Sequence, residues 1–414
     1  MFPGHGWLQR RLRRVVAHLA LSSPIIAVTT AVVAQRADST ATRQVAPGVT
    51  HTRTVHAAGP WIVNVVRLDL RRRDLEIRHR RANDSLASRE RVSAMAARAA
   101  RAHEEVLVAI NGDFFDVRTG ASENNLVIDG EWWKGVRVTD SPFDTFDNVH
   151  AQFALDSLRR PLLERFAFDG WARTSTTTLP IISLNANPSG APEGTAFFTR
   201  RFGATTPRDT TRTTSEVALI LLGRRRDTLM YGRRGPAVAT SGNPIPVDGA
   251  ILAGYGARGA QVAAIAEGDT VRVRLGVTPP PPRRASSAPL ALVIGGWPRI
   301  LRDGVNVADY AASEEGTISR NAEARHPRSA VGFSRDSSSL WLVTVDGRSS
   351  RSVGMTISEL AELMRGLGAW HGLNFDGGGS TAMVVQGTVV NSPAEPAGER
   401  EVGSALIVLR TGRP

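Results

Sequence analysis

The strongest chemical signal in the sequence is a glycine-rich turn, Asp376-Gly377-Gly378-Gly379-Ser380, which follows a short apolar segment. Three consecutive glycines lose much conformational entropy on folding, so inside a domain they suit a place where the backbone approaches a ligand or turns sharply. Successive glycine amides can form a concave nest for an anion such as phosphate, and Ser380 adds a hydroxyl. Asp376 stands where a strand would end, as a catalytic or substrate-orienting carboxylate does. A tight turn is the alternative, and Asn374 beside Asp376 favours the functional interpretation.

A second polar segment, Asn111-Gly112-Asp113-Phe114-Phe115, also follows an apolar run. Asn111 and Asp113 could hydrogen-bond a sugar hydroxyl or bind a cation, whereas the two phenylalanines are better explained as core. Glu123, in a loop further along the chain, supplies another carboxylate that is weak evidence by itself.

Two arginines stand beside apolar segments in a way that suits anion binding. Arg328 follows His326-Pro327, and Arg348 closes the sequence Asp346-Gly347-Arg348. A guanidinium is a planar fork that matches phosphate or carboxylate. From spacing alone, a solvated arginine at a strand start and a simple turn are equally good explanations.

The elements before the two polar segments follow the same order. The spacing predicts a helix over about 88–103 with Ser88 as its cap, then a buried strand over Glu105–Ile110 that ends at Asn111. A second helix is predicted over 356–367 behind a T-x-x-E capping box, then a strand over Gly372–Phe375. Strand ends are rigid supports, so we expect two strand ends to deliver polar groups to one site.

Other elements are predicted on either side of these. Trp61–Leu70 is a strand, Ser329–Phe333 and Leu340–Val345 form a hairpin, and residues 383–391 form a second hairpin around Gly387. The sequence from about 151 to 285 is rich in threonine and glycine with short apolar runs, which predicts a β-rich insertion or middle region. The predicted fold class is α+β, with mixed β-sheets and a few helices.

Composition narrows the function classes. The chain of 414 residues has no cysteine, which excludes a disulfide framework, a thiol nucleophile, a cysteine-bound zinc and an iron–sulfur cluster. The formal charge is +12, yet Lys134 is the one lysine among 51 basic residues. Arginines scattered this uniformly indicate coding bias rather than a nucleic-acid surface, and the sequence has no interleaved aromatic–basic stripe.

The amino terminus has the pattern of an export signal. Arg10, Arg11, Arg13 and Arg14 precede an apolar stretch from Val15 to Val33, and small residues allow cleavage after Ala34. An uncleaved anchor is the competing interpretation. We therefore predict a signal peptide over 1–34, a linker over 35–50, and an exported, periplasmic or extracellular protein with no membrane span once the signal is removed.

Taken together, the segments resemble the phosphodiester glycosidase family. The resemblance rests on motifs that keep the order of the family and cover roughly 105–150 and 290–410. They are Ala109–Phe115, Ile294–Pro298 with Asp303-Gly304, Pro327–Gly332, Val345–Arg348, Gly354–Thr356, Leu373–Ser380 and Arg400–Ala405. Two departures are Asp113, where the family often has glycine, and Phe375, where it usually has leucine. The resemblance implies a domain whose two parts are 51–150 and 286–414, separated by the β-rich region 151–285.

The resemblance also implies hydrolysis of a sugar joined through its anomeric carbon to a phosphodiester, here in envelope or extracellular glycans. In this hypothesis Asp376 is the first choice of catalytic carboxylate, with Asp113 and Glu123 as possible partners. The substrate and its phosphate would be bound by Asn111, Arg328, Asp346, Arg348, Asn374, Gly377, Gly378, Gly379 and Ser380.

Two alternatives remain open at this point. One is a non-catalytic envelope-glycan binding protein on the same fold. The other is a metal-dependent phosphodiesterase, because the acidic set Asp113, Glu123, Asp346 and Asp376 permits a hard cation but lacks a recognisable ligand spacing. No cofactor and no nucleic-acid partner is predicted, and the oligomeric state is open.

Overall fold

The computed structural model describes residues 38–100, 104–140, 149–188, 192–225, 227–279, 288–316 and 323–412. The predicted signal peptide over 1–34 lies outside the described residues. Within the segment 35–50, which the sequence predicts as a linker, Ser39–Ala46 form a strand. Threonine hydroxyls fix this strand to its neighbour, because Thr42 contacts Thr52 at 2.9 Å and Thr40 contacts Thr54 at 3.3 Å.

β-Strands are the main regular secondary structure of the described chain. The strands before residue 200 are β1 Ser39–Ala46, β2 Val49–His56, β3 Trp61–Asp69, β4 Leu75–Arg81, β5 Glu104–Asn111, β6 Leu126–Ile128, β7 Glu131–Val136, β8 Gln152–Asp156, β9 Pro161–Glu164, β10 Ala167–Phe168, β11 Gly170–Arg173, β12 Thr178–Ile181, β13 Ser183–Leu184 and β14 Gly194–Thr199. The later strands are β15 Thr214–Arg225, β16 Thr228–Val238, β17 Gly249–Tyr255, β18 Thr270–Arg274, β19 Val277–Thr278, β20 Leu290–Gly295, β21 Arg299–Arg302, β22 Val305–Asn306, β23 Arg328–Phe333, β24 Ser339–Val345, β25 His371–Phe375, β26 Met383–Val385, β27 Thr388–Val389 and β28 Ser404–Thr411.

Few helices accompany these strands, as the sequence predicts. The α-helices of the described residues are α1 Val92–Ala99, α2 Ala257–Ala263, α3 Ala311–Glu315 and α4 Ile357–Gly366. Helix α4 begins with the predicted capping box, in which the Thr356 hydroxyl accepts from the Glu359 amide at 3.1 Å and the Glu359 carboxylate accepts from the Thr356 amide at 2.9 Å. Within the part of the chain that the structure describes, every helix is too short or too polar to cross a bilayer.

Helix α1 is shorter than predicted, and Ser88 does not cap it. The residue before α1 is Arg91, and no side chain caps the helix. Residues 87–90 instead form isolated bridges, Ala87 with Ala121 and Glu90 with Val402. Pairing with distant segments therefore overrides the helical pattern at this end; residues 101–103 lie outside the described part.

Two sheets face each other around the main core. One has the strand order β1-β2-β3-β24-β23-β25-β21-β22, and the other has the order β27-β26-β5-β28-β4. Their facing side chains share one buried apolar cluster, to which β24 contributes Leu340 and Leu342 and β28 contributes Leu406 and Val408. The intervening residues of the same strands point away, towards clusters covered by α4 and α1 respectively. The result is a helix–sheet–sheet–helix layering, whose apolar faces follow the period of two along each strand.

A third sheet contains most of the middle region. Its order is β12-β11-β18-β16-β15-β17-β14-β13-β7-β6-β20-β8-β9, with one parallel pair, β13–β14, among antiparallel neighbours in the described chain. Within this sheet, β13 of the middle region pairs with β7, and β8 pairs with β20, whereas β6 joins β7 to β20; β6, β7 and β20 lie outside 151–285. The middle region is β-rich as predicted, whereas the domain boundaries at 150 and 285 stay a prediction.

Candidate active site

The predicted polar segments meet at one edge of the paired sheets. Strand β24 ends at Val345, opposite Arg328 at the start of β23, and β25 ends at Phe375, opposite Ser329. The residues that follow, Asp346 and Asp376, therefore leave the sheet at the same edge. Antiparallel pairing places strand ends and strand starts side by side, which brings segments distant in sequence together.

The side chain of Asn111 links this edge to the facing sheet by hydrogen bonds. Its side-chain nitrogen donates to the backbone oxygen of Asp376 at 2.6 Å. Its side-chain oxygen accepts from the Ser329 hydroxyl at 2.7 Å and from the Ala382 amide at 3.1 Å. The Asp376 amide donates to the Gly112 carbonyl at 3.0 Å. Asn111 is fully buried, so it positions Asp376 rather than offering groups to a ligand.

The glycine turn lies directly against Arg348. Gly378 has φ +61°, and a Cβ built on it would lie 2.9 Å from Nη2 of Arg348. The positive φ favours glycine here, and a Cβ would displace the end of the Arg348 side chain. The Arg348 side chain is exposed, so its guanidinium is presented beside the bare backbone of the turn.

The anion nest predicted from three successive amides is only partly available. The Gly378 amide donates to the Pro327 carbonyl at 2.9 Å, and the Ser380 amide donates to the Gly377 carbonyl at 3.1 Å. These bonds fold the turn back onto the start of β23. Guanidinium groups, more than amides, provide the positive charge at this turn.

Arg400 is a second guanidinium at the turn, and its part here was not predicted. A Cβ on Gly379 would lie 2.5 Å from Cζ of Arg400. Arg400 forms an ion pair with Glu395, and its charge lowers the pKa of Asp376. The sequence motif Arg400–Ala405 indicated family resemblance but gave no sign that this side chain folds over the glycines.

Asp376 has the electrostatics of a functional carboxylate. Burial raises its pKa to about 6, and the nearby Asp113 charge raises it further, while the Ser380 hydroxyl, Arg400 and the Gly377 amide oppose the rise. A carboxyl with a pKa near 6 is mostly ionised at neutral pH yet can accept a proton readily. Perturbed carboxyls of this kind are concentrated at functional sites.

Asp113 is a fixed, buried acidic neighbour. One oxygen accepts from the Ser122 hydroxyl at 2.8 Å, and the other accepts from the Asn124 side chain at 2.8 Å. Burial raises the pKa of Asp113, and these hydrogen bonds oppose the rise. Gly295 is required beside it, because any Cβ there would collide with Asp113 and Asn124.

The sole lysine of the chain supports the loop that binds Asp113. Lys134 is buried, and its Nζ donates to the Ser122 carbonyl at 2.5 Å and to Asp140 at 3.1 Å. Its charge lowers the pKa of Asp113. Glu123, in the same loop, is also buried, and its backbone amide donates to the Phe114 carbonyl at 3.2 Å. That Lys134 is the only lysine is a sequence signal for a special role of this residue, but attributing the arginine excess to coding bias misses that signal.

Arg328 lies at the site, but its guanidinium is used within the protein. Nε donates to the Met355 carbonyl at 2.8 Å, and Nη2 donates to the Ala324 carbonyl at 2.9 Å. The side chain is buried, which lowers its pKa to about 10. In this structure Arg328 fixes the chain before β23, so it does not present the open fork that the sequence suggests.

Two further predicted residues contribute buried oxygens. Asp346 accepts from the Ser392 amide at 3.1 Å, and burial raises its pKa to about 6. Asn374 donates to the Trp297 carbonyl at 2.6 Å. Among the described residues, neither Oδ2 of Asp346 nor Oδ1 of Asn374 has a hydrogen-bond partner. Unsatisfied buried acceptors suit contact with a donor from water or a ligand.

An aromatic pair adjoins Asp113. Phe114 is half-buried and meets Trp297 edge to face at 5.6 Å, while Trp297 stacks on His150 at 4.6 Å. Phe115 is core, as predicted. Phe114 therefore differs from the predicted core position, because it is only half-buried beside Asp113.

The described residues contain no group of three or more histidine or acidic side chains placed to hold a metal ion. Asp113 is held by hydrogen bonds from Ser122 and Asn124, and Asp346 accepts from the Ser392 amide. Their arrangement gives no independent support to a cation site.

A large cavity of about 3290 Å³ lies elsewhere. The turn Arg335–Ser338 and His371 line it, and these stand at the opposite ends of β23, β24 and β25 from Asp376. None of the predicted site residues lines it. By size alone this cavity would be the candidate active site. The carboxylates with raised pKa values, the guanidinium groups and the glycine turn instead favour the edge at Asp376.

Residues 228–409 match the phosphodiester glycosidase family, which confirms the resemblance for that part of the chain. A curated relative, the SPbeta prophage-derived uncharacterized protein YomE of Bacillus subtilis (strain 168), is 37% identical over 84 residues, which are 20% of this chain and 13% of the relative. The chain thus spans a small fraction of that relative.

Two solved structures share the fold. A hypothetical protein from Synechocystis is 21% identical with a TM-score of 0.69, over 90% of this chain and 64% of the other. The "Putative exported protein" of Burkholderia pseudomallei K96243 is 24% identical with a TM-score of 0.62, over 87% of this chain and 77% of the other. These likenesses establish the strand-rich fold.

Proposed function

We propose that the protein is a glycosidase that hydrolyses a sugar-1-phosphodiester at the bond between the anomeric carbon and oxygen. The observation that carries the proposal is the juxtaposition of the half-buried Asp376, whose pKa is raised, with Arg348 and Arg400 on the glycine turn. The match of residues 228–409 to the phosphodiester glycosidase family supports the same chemistry.

The geometry suits this reaction because the leaving group is already a stabilised anion. When the anomeric C–O bond breaks, its electron pair goes to the phosphate oxygen, and Arg348 is positioned to stabilise that charge. Preorganised donors of this kind contribute roughly 3–4 kcal/mol each in other enzymes. Asp376 then stabilises the oxocarbenium-like carbon or takes the proton of the attacking water.

Asp113 acts as a partner of Asp376 in this proposal. Its two oxygens are held by Ser122 and Asn124, so the carboxyl group is fixed in position, and its negative charge raises the pKa of Asp376. Asn111 holds the backbone of Asp376 in place. Whether the configuration at the anomeric carbon is retained or inverted is read directly by NMR of the first-formed sugar.

The proposed substrates are phosphodiester-linked sugars of envelope or extracellular glycans. The amino-terminal pattern of arginines followed by apolar residues supports export, and so does the name of the Burkholderia relative.

A product-resolved screen of sugar-1-phosphodiesters with the purified protein tests the proposal. We expect a free sugar and an intact phosphate on the aglycone, activity that survives EDTA, and loss of hydrolysis in Asp376→Ala with substrate binding retained. Binding without hydrolysis by the wild type would support a glycan-binding protein. Cleavage between phosphorus and oxygen that EDTA abolishes would support a phosphodiesterase.

A further inference from the structure

An exposed face of the third sheet carries a concentration of arginines. Along β18, Val271 and Val273 are buried, whereas Arg272 and Arg274 point outwards. The same alternation on the neighbouring strands adds further outward basic side chains. The arginine face, as we name it, consists of Arg173 on β11, Arg272 and Arg274 on β18, Arg234 on β16 and Arg225 on β15.

Two of these arginines stand directly opposite each other. Arg173 pairs with Arg272 in the antiparallel register of β11 and β18, and both are exposed. Side chains at directly opposed positions have Cβ atoms about 5 Å apart, and like charges there destabilise a sheet. The fold gains nothing from this pair by itself, which favours a role for the charge in binding a partner.

Little acidic charge offsets the face. Asp227 forms an ion pair with Arg274 at 2.8 Å. For Arg173, Arg225, Arg234 and Arg272, no ion pair is present within the described ranges. The face is therefore strongly positive at neutral pH, which favours an anionic partner.

The face also has an aromatic and several hydroxyl groups. Trp171 is partly exposed beside Arg173, whose guanidinium lies 4.7 Å from the ring centroid and whose Nε donates to the Thr178 hydroxyl at 3.0 Å. Trp171 and Arg173 are two residues apart on one strand, and Arg274 and Arg272 are opposite them on the next. One indole thus lies among three arginines of two adjacent strands.

We propose that the arginine face, whose Arg274 also lines the large cavity, binds an anionic polysaccharide and anchors the polymer away from the Asp376 site at which its phosphodiester is cut. Indole and hydroxyl groups suit sugar rings, and the arginines suit phosphate substituents. The choice of a glycan rests on the proposed function, whereas the positive charge of the face does not. This assigns the middle region the role of a substrate anchor.

Binding of the full chain to phosphomannan tests the proposal, with neutral mannan and duplex DNA as comparison ligands. We expect Arg173→Gln/Arg272→Gln to weaken phosphomannan binding at least tenfold and to reduce its dependence on salt concentration. The matched control, Arg91→Gln/Arg118→Gln, removes the same charge from exposed positions elsewhere and should bind as the wild type does. The melting temperature of the first variant should stay equal or rise, because a like-charge pair is removed.

The outcomes separate the face from the active site. Hydrolysis of a small soluble sugar-1-phosphodiester should be unchanged in Arg173→Gln/Arg272→Gln, since neither residue belongs to the catalytic site. Equal loss of binding in the control, or DNA bound more tightly than phosphomannan, would overturn the proposal. Phosphomannan binding that depends on the face in a wild type without hydrolysis would refute the proposed function and leave the anchor intact.

Discussion

At the scale of single residues, the site depends on carboxylates kept in unfavourable surroundings. Asp376 is half-buried near the buried Asp113, and desolvation is the main reason that the pKa of each is raised. Arg400 and the Ser380 hydroxyl limit the rise for Asp376. Such an arrangement costs stability in exchange for reactivity, which is the usual position of active-site groups.

Asp376→Asn is the first test at this scale. The substitution keeps the shape of the side chain and removes its charge and its basicity, so we expect kcat to fall at least 10³-fold with KM little changed. The control is Asp309→Asn, on the short turn before α3, which makes the same substitution away from the site. Asn374→Asp is unsuitable as a control because it adds charge at the site. A kcat within tenfold of the wild type for Asp376→Asn would refute the catalytic role.

Arg348→Gln tests the electrostatic part of the account. The guanidinium beside Gly378 is expected to stabilise the departing phosphate, so its removal should lower kcat/KM about 10²-fold. The exposed Arg365 on α4 provides a matched control, Arg365→Gln, with unchanged kinetics expected. Equal kinetics of the two variants in steady-state assays would contradict the role given to Arg348.

The sequence predicts which residues lie at the site better than it predicts what each side chain does there. Asp376, Arg348 and Asn111 were found by their place at strand ends, and the structure brings them together. The use of Arg328 for backbone carbonyls, the closing of Arg400 over Gly379 and the support of Ser122 by Lys134 depend on contacts between distant segments. No local pattern encodes those contacts.

At the scale of elements, the strand ends and the glycine turn form the site. The predicted strands and α4 match the structure closely because their apolar periods and the capping box are local signals. Helix α1 matches less well, since bridges from 87–90 to 121 and 402 replace its first turn. Local propensity therefore predicts the elements best where tertiary pairing agrees with it.

Gly378→Ala tests the turn as an element. Both Gly378 and Gly387 have positive φ, at +61° and +77°, so alanine strains the backbone at either position. A Cβ at Gly387 meets nothing within 4 Å, whereas one at Gly378 meets Arg348. We expect each variant to lose on the order of 1 kcal/mol of unfolding free energy, and only Gly378→Ala to lose activity. Thermal melts and kcat/KM check this; equal activity would contradict the close approach.

At the scale of the whole molecule, the order in which strands pair in the three sheets is not apparent from the sequence. The middle region was predicted as β-rich, but its hydrogen bonding into one sheet with β6, β7 and β20 was not. Pairing order among many similar short strands depends on non-local packing. The arginine face arises for the same reason, because its basic residues come from separate strands.

Asp346 and Asp376 both contribute to the pH dependence of global stability. Both have a pKa raised to about 6, above the ordinary value of 3.8. Between about pH 4 and 6 the folded state keeps protons that the unfolded state releases, so stability falls as pH rises. We expect Asp346→Asn/Asp376→Asn to flatten this decline and to be more stable than the wild type at pH 7. Urea unfolding from pH 4 to 7 measures it; a parallel decline in the variant would contradict the burial of these charges.

The central claim is that water attacks the anomeric carbon and not phosphorus. Hydrolysis of a sugar-1-phosphodiester in water enriched in oxygen-18, followed by mass spectrometry of both products, tests it directly. The account predicts the heavy oxygen in the released sugar and none in the phosphate of the aglycone. Heavy oxygen in the phosphate would contradict it.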